Sequence, residues 1–381
     1  MYFVAFQGRQ LNSPSVYCVL PRFEVGGLER VHMIILPALN KAGYQPHIVS
    51  RTLDENARSL LDPKVGIQLL GGGRFVFLVK LFFLLRKERC NVIITSANDI
   101  GCFVLLLRNF FWPHSKVIWS QHLSISGPLN ASRGFKRFCL LFERWLMRRL
   151  LLKADTVIAV SRSVADDISR SVVSHPKLNV ILNPVVSDGF TERCNVDVEW
   201  PWPDYSVPTV IFVGRLAPVK RVDLLIEAFS KVKSSMDARL LILGDGPEAG
   251  KLKRLVGKHD LSEVCSFVGH QDDALPWIHR SDLLVLCSES EGFGLVLVEA
   301  MACGVQVVST DCPDGPSEVL DGGRFGRLVP TNDICSLTQA IEQSLIAPLV
   351  DREILQERAA DFSVDRAVSQ YLEVLETVAR Q

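Results

Sequence analysis

Short apolar runs of strand length alternate with helical patterns along almost the whole chain, which points to parallel α/β architecture. In the first half the strand candidates are residues 16–20, 47–50, 92–95, 117–120 and 156–160, and a helical stretch over 28–42 follows the first of them. The pattern lapses over 183–207, where Pro184, Pro201, Pro203 and Pro208 bracket a polar, irregular segment. It then restarts, with a strand at 209–213, a helix at 222–233, and strands at 239–243, 266–268, 283–287 and 305–309. Two Rossmann-like domains are therefore expected, over residues 1–185 and 208–360, with parallel sheets facing across a central cleft and a linker at 186–207. Interdomain clefts of this kind are common small-molecule sites. The remaining residues, 361–381, hold a last helix at about 364–378 that can pack back on the first domain. A chain of 381 residues, 48% of them hydrophobic, has ample material for two cores.

Overall charge is balanced, with 42 basic and 42 acidic residues, and nothing in it points to nucleic acid. The distribution is uneven. Residues 1–185 carry 24 Lys and Arg against 11 Asp and Glu, whereas the remainder carries 18 against 31. Such a division suits a basic domain facing an anionic surface, or two domains that attract each other. Ten cysteines are scattered singly, without a CxxC or a Cys/His pattern of zinc type. Several (Cys102, Cys139, Cys287) lie in apolar runs, which reads as a reduced, cytoplasmic protein. Residues 1–12 lack the basic start and apolar core of a leader, and residues 1–14 have no assignable role. The longest apolar stretch, 75–85, is interrupted by Lys80 and too short to cross a bilayer. The expectation is a soluble protein, or one that lies on a membrane.

Residues 133–150 bear on that choice. Phe135, Phe138, Leu141, Phe142, Trp145 and Leu146 recur at helical spacing with Arg144, Arg148 and Arg149 between them. Such a helix can lie on an anionic bilayer, or turn its stripe to the core and its basic side to solvent. The stretch 75–87 is a second apolar and basic segment in the same half.

The densest chemistry lies in Glu291-Gly-Phe-Gly-Leu-Val-Leu-Val-Glu299, continuing through Met301-Ala-Cys-Gly304. Two carboxylates stand eight positions apart with a glycine-rich turn after the first. The apolar run 282–287 leads in, and a short helix from about Leu295 leads out, stopped by Gly304. Glu291 thus sits in a loop at the carboxyl end of a strand, the edge where open α/β sheets bind ligands, and Glu299 about one turn into the next helix. Free amides at that helix N-terminus suit phosphate. A second group, Gly214-Arg-Leu-Ala-Pro-Val-Lys220, follows strand 209–213 directly. Arg215 can bind phosphate bidentately and Lys220 adds a compact charge, and both can reach one point above that edge. Gly26-Gly-Leu-Glu-Arg30 follows the first strand, where glycines admit close approach of a ligand or simply make a tight turn. His122 ends another strand, as a ligand hydrogen-bond donor or a satisfied structural histidine.

These motifs resemble the retaining glycosyltransferases of family 4, with their GT-B fold, E-x7-E signature, G-R-L-x-x-x-K loop and GG-x-E-R loop. The resemblance implies that Glu291 contacts donor-sugar hydroxyls and that Glu299 holds the ribose. Arg215 and Lys220 would hold the donor diphosphate, usually without a metal, beside Gly214. Backbone at Gly292, Phe293, Gly294 and Leu295 would line the same pocket. Gly26 and Gly27 would face it from the other domain, with His122 near the reacting centre. Val268-Gly-His270 matches the loop that reads the nucleobase through backbone atoms, which leaves the His270 side chain a weaker candidate. Residues 311–320 resemble a stretch of bacterial surface-polysaccharide transferases, with no catalytic residue assigned there. The implied substrates are a UDP- or GDP-linked sugar, with no cofactor, and a saccharide or lipid-linked acceptor in capsule, O-antigen or lipopolysaccharide synthesis. That places the protein in the cytoplasm or at the cytoplasmic face of the inner membrane. No general-base carboxylate is evident. A GT-B nucleotide-sugar 2-epimerase and a non-catalytic transferase-like partner subunit remain as alternatives.

Overall fold

The computed structural model describes residues 13–24, 26–204 and 206–380, so the expectations for residues 1–12 lie outside the described residues. The first sheet contains β1 (Ser15–Leu20), β2 (Gln45–Ser50), β3 (Gly66–Leu69), β4 (Val92–Thr95), β5 (Lys116–Gln121), β6 (Thr156–Ala159) and β7 (Leu178–Val180), in the order β3-β2-β1-β4-β5-β6-β7. The second contains β8 (Thr209–Val213), β9 (Arg239–Leu243), β10 (Cys265–Gly269), β11 (Leu283–Leu286), β12 (Gln306–Thr310) and β13 (Arg327–Val329), in the order β10-β9-β8-β11-β12-β13. All pairings between these strands are parallel. Strand order reverses between β1 and β4 in one sheet and between β8 and β11 in the other. At such a reversal the flanking loops diverge and leave a crevice at the carboxyl ends of the strands.

Central strands read as continuous apolar runs because helices cover both faces of each sheet. Val16, Val19, Ile93, Val117 and Ile118 are fully enclosed in the first sheet, as are Val210, Phe212, Leu241 and Val285 in the second. Burying each such side chain contributes about 1.5–3 kcal/mol. Three strands escaped the sequence reading: β3, β7 and β13. They are short edge strands of mixed polarity and partial burial, so no continuous apolar run marks them.

Two segments gain definition from the structure. Residues 186–204 are irregular apart from one short helix, and they pack against the second half. The helix Phe190–Cys194 buries both terminal side chains in the core of the second sheet, and Trp200 stacks on Trp277 with ring centroids 5.9 Å apart. The helix Gly134–Leu150 buries only Met147 and Leu150, while Phe135 (81% exposed), Phe138 (66%), Phe142 (57%) and Trp145 (50%) face outward. Its aromatic stripe therefore does not face the core. No helix among the described residues is long and apolar enough to cross a membrane.

The last helix, Val364–Ala379, crosses back to the first sheet. Ala367, Tyr371 and Leu375 are buried in the core of the first sheet, against helix Gly27–Lys41.

Candidate functional site

Both reversal points place their loops in one region. After β11, the chain turns at Gly294, whose φ of +86° lies in the left-handed region that a side chain disfavours, and enters helix Leu295–Ala302. Glu291 precedes this turn and Glu299 follows it by just over one helical turn. After β8, Gly214 leads through exposed Arg215 into a short 3-10 turn, Pro218–Lys220. Lys220 Nζ donates to Glu291 Oε1 at 2.5 Å, and Ser288 Oγ donates to the same oxygen at 2.5 Å. The second carboxylate oxygen of Glu291 has no partner among the described residues and can accept a hydrogen bond from a ligand. Lys220 is held in place by this pair, whereas Arg215 makes no side-chain hydrogen bond or ion pair among the described residues.

The first half of the chain closes over this edge. Arg30 Nη1 donates to Glu299 Oε1 at 2.9 Å, across 269 positions of sequence. A Cβ placed on Gly27 would lie 3.3 Å from Leu295, so the GG-x-E-R loop abuts the start of the Glu299 helix. At Gly292 a Cβ would come within 3.1 Å of the His122 carbonyl oxygen and 2.8 Å of the Leu123 side chain, so the two loops approach closely there. Further along, the Glu318 carboxylate accepts from the backbone amides of Arg162 (2.8 Å) and Ser163 (3.1 Å). These open the helix Arg162–Ser171, whose N-terminal dipole favours the negative charge. The Asp314 carboxylate accepts from Ser124 in the opposite half.

His122 Nε2 lies 2.9 Å from Ser120 Oγ, and its ring centroid is 5.8 Å from that of His32. Burial, with the His32 charge as a second cause, holds the His122 imidazole well below the usual histidine range. Burial lowers His32 as well, while its Nδ1 lies 2.9 Å from the Leu28 carbonyl oxygen. Both rings are thus neutral near pH 7, and His122 can donate or accept one hydrogen bond without bringing a charge. Burial raises Glu29 and also Asp314, where the Asp167 charge adds to the effect.

Glu291, Glu299, Lys220, Arg215, Gly214, Gly292, Gly294, Leu295, Gly26, Gly27 and His122 all lie on loops or helix starts at the facing carboxyl edges. Phe293 differs, because its ring is buried in the core 5.6 Å from Phe362, leaving its backbone alone to face a ligand. His270 is exposed beyond the edge strand β10, 3.8 Å from Asp272, and contacts none of the other candidates. Sequence reasoning missed Ser288, the pairing of Arg30 with Glu299, and the bridging roles of Asp314 and Glu318. The residue types were visible, but their partners lie far away in the chain.

Comparison with known proteins agrees with this arrangement. A family model described as Glycosyltransferase Family 4 matches residues 25–188, and one described as Glycosyl transferases group 1 matches 204–362. The N-acetyl-alpha-D-glucosaminyl L-malate synthase of Bacillus anthracis is 32% identical over 244 residues, covering 62% of this chain and 63% of that protein. The N-acetylgalactosamine-N,N'-diacetylbacillosaminyl-diphospho-undecaprenol 4-alpha-N-acetylgalactosaminyltransferase of Campylobacter jejuni is 27% identical over 209 residues, 55% of either chain. The chain thus spans somewhat over half the length of these two relatives. The crystal structure of Anabaena Alr3699/HepE in complex with UDP and glucose superposes with a TM-score of 0.77 at 18% identity, covering 96% of this chain and all of that one (100%). With both halves matched in order and the two facing sheets in place, the chain belongs to the family 4 glycosyltransferases of GT-B fold.

Proposed function

We propose that this protein is a retaining glycosyltransferase that moves a sugar from a nucleotide diphosphate donor to a saccharide or lipid-linked acceptor. In this reading residues 208–360 form the donor domain and residues 1–185 the acceptor domain. The observation that carries it is the convergence of Lys220, Glu291 and Glu299 with unpaired Arg215 at one sheet edge, beneath the Arg30 and His122 loops.

A diphosphate placed there would meet Arg215, Lys220 and the amides opening helix Leu295–Ala302. As the bond from the anomeric carbon to phosphate breaks, its electron pair passes to the diphosphate, and cations bind that growing charge more tightly than the ground state. The free oxygen of Glu291 would accept from a donor-sugar hydroxyl. Glu299 would take the ribose hydroxyls, exchanging or sharing its bond with Arg30. In a front-face route the acceptor oxygen attacks from the side the phosphate leaves, and its proton passes to that phosphate, which preserves the anomeric configuration. Arginine and lysine then take the part a metal would play. The names of the Bacillus and Campylobacter relatives support saccharide transfer to non-nucleotide acceptors, and a place in bacterial capsule, O-antigen or lipopolysaccharide synthesis is the corresponding pathway proposal.

The first half would also rest on an anionic membrane, at the cytoplasmic face of the inner membrane. The exposed Phe135, Phe138, Phe142 and Trp145 support this, as do Phe75, Val79 and Phe83 on helix Arg74–Glu88, set among basic side chains.

The direct test is thermal unfolding with UDP, GDP, ADP and their sugar conjugates, in the parent protein, Glu299→Ala and Arg215→Ala. A ligand bound only by the folded state raises the midpoint. We expect one nucleotide to do so in the parent and to lose most of its effect in both variants. UDP, present with the Anabaena relative, is the first to try. No shift with any nucleotide would favour the non-catalytic subunit.

A further inference from the structure

Apart from the donor edge, the described residues form an open pocket of about 370 Å³ in the first half of the molecule, lined by Arg22, Arg51, Arg74, Asp99, Phe77 and Ile100. Its position follows from the topology. Arg22 and Arg51 follow β1 and β2, Asp99 lies in the first turn of the helix after β4, and Arg74 opens the helix after β3. The pocket therefore sits at the carboxyl edge of the first sheet, beside the β1–β4 reversal and on the loop that continues to Gly26 and Arg30.

Three guanidinium groups meet one carboxylate there. Arg74 is neutralised by Asp99 at 2.8 Å. Arg22 reaches only Glu24, at 3.6 Å and with both side chains largely exposed, a pair of little worth. Arg51 is half-buried and makes no side-chain hydrogen bond or ion pair among the described residues. A guanidinium has five donors in a planar fork, and those of Arg51 face the pocket without a protein acceptor among the described residues. Phosphate oxygens match that fork in charge and geometry. Immediately beyond Arg74, exposed Phe75, Val76, Val79 and Phe83 extend an apolar surface along the same helix.

Resting on the transferase reading above, we propose that this pocket binds a phosphate or diphosphate group carried by the acceptor, through Arg51 and Arg22. The acceptor is then an anionic molecule, either a diphosphate-linked lipid whose chain lies on the apolar surface or a soluble phosphorylated saccharide.

Calorimetric titration tests this, with inorganic diphosphate, farnesyl diphosphate and farnesol as probes. The experiment uses full-length Arg215→Ala, which weakens the donor-side diphosphate site. We expect this variant to bind the diphosphates and not farnesol. Adding Arg51→Gln should weaken diphosphate binding at least tenfold, and Arg51→Lys should restore part of it. Because Arg51 makes no side-chain hydrogen bond or ion pair among the described residues, the unfolding midpoint should stay nearly unchanged and exclude misfolding as the cause. Tighter binding of farnesyl diphosphate than of inorganic diphosphate would assign the lipid source, and equal binding the soluble one. Diphosphate affinity that is absent from Arg215→Ala, or indifferent to Arg51→Gln, would overturn the proposal. Nucleotide binding by the parent protein reports separately on the donor reading, so failure of one is distinguishable from failure of the other.

Discussion

Glu291 keeps its two protein contacts on a single oxygen, and that asymmetry can be tested. Glu291→Gln preserves an acceptor for Lys220 and Ser288 but replaces the free oxygen with a donor. We expect turnover to fall by roughly 10²-fold, as for loss of one preorganised electrostatic contact, with little change in the unfolding midpoint. An unchanged rate would show that the free oxygen touches nothing in the reaction. The imidazole pair gives a pH prediction. His32 and His122 are both depressed below the ordinary histidine value of 6.5 when folded, so below it the unfolded chain binds more protons. Their contribution to stability is complete above about pH 6.5 and is lost as pH falls towards the depressed folded values. Buried Glu29 and Asp314, which are raised, act in the opposite sense. Thermal midpoints at pH 7.5 and 5.5 should therefore be compared with those of His32→Gln/His122→Gln, whose acid-side loss is expected to be smaller. The candidate carboxylates and cations were legible at this scale because loops at strand ends identify themselves. The Arg30–Glu299 pair was not, since nothing local in either residue specifies a partner 269 positions away.

Among the elements, helix Gly134–Leu150 shows the limit of periodicity. Three- and four-residue spacing places Phe135, Phe138, Phe142 and Trp145 on one face, but spacing says nothing about what covers that face. Among the described residues nothing does, because the helix is anchored through Met147 and Leu150 near its end. Replacing Phe138 and Trp145 with Ser should reduce flotation with phosphatidylglycerol-containing vesicles while leaving folding intact. Parent protein that fails to float with anionic vesicles would sink the membrane proposal. The helix Leu295–Ala302 was easier to read. Glycine on both sides and an apolar strand before it mark its ends, and the positive φ of Gly294 is what such a turn demands. Strands β3, β7 and β13 were missed for the converse reason, as half-exposed edges lack the continuous apolar run that a two-sided cover imposes.

For the whole molecule, the chain returns to its beginning. Helix Val364–Ala379 completes the core of the first sheet, and Tyr371 is hydrogen-bonded to Ser120, which also contacts His122. Leu375 is fully buried there, so Leu375→Ala should cost about 2–5 kcal/mol. Denaturant unfolding measures this, and a loss below about 0.5 kcal/mol, the level of a neutral surface change, would mean that the helix is dispensable to that core. Alternation of apolar runs and helices by itself determined the two parallel sheets, and the composition of the loops at strand ends determined where acidic and basic groups gather. Both are local properties, set by backbone periodicity and by which residues tolerate a turn. Tertiary structure alone decided that Arg30 meets Glu299, that Glu318 caps helix Arg162–Ser171, that two histidines share one buried site, and that an aromatic face stays uncovered. The Arg30 and Glu318 contacts come into being only when two separately buried sheets pack with their carboxyl edges facing each other, whereas the histidine pair and the aromatic face are set by how elements of the first half pack among themselves.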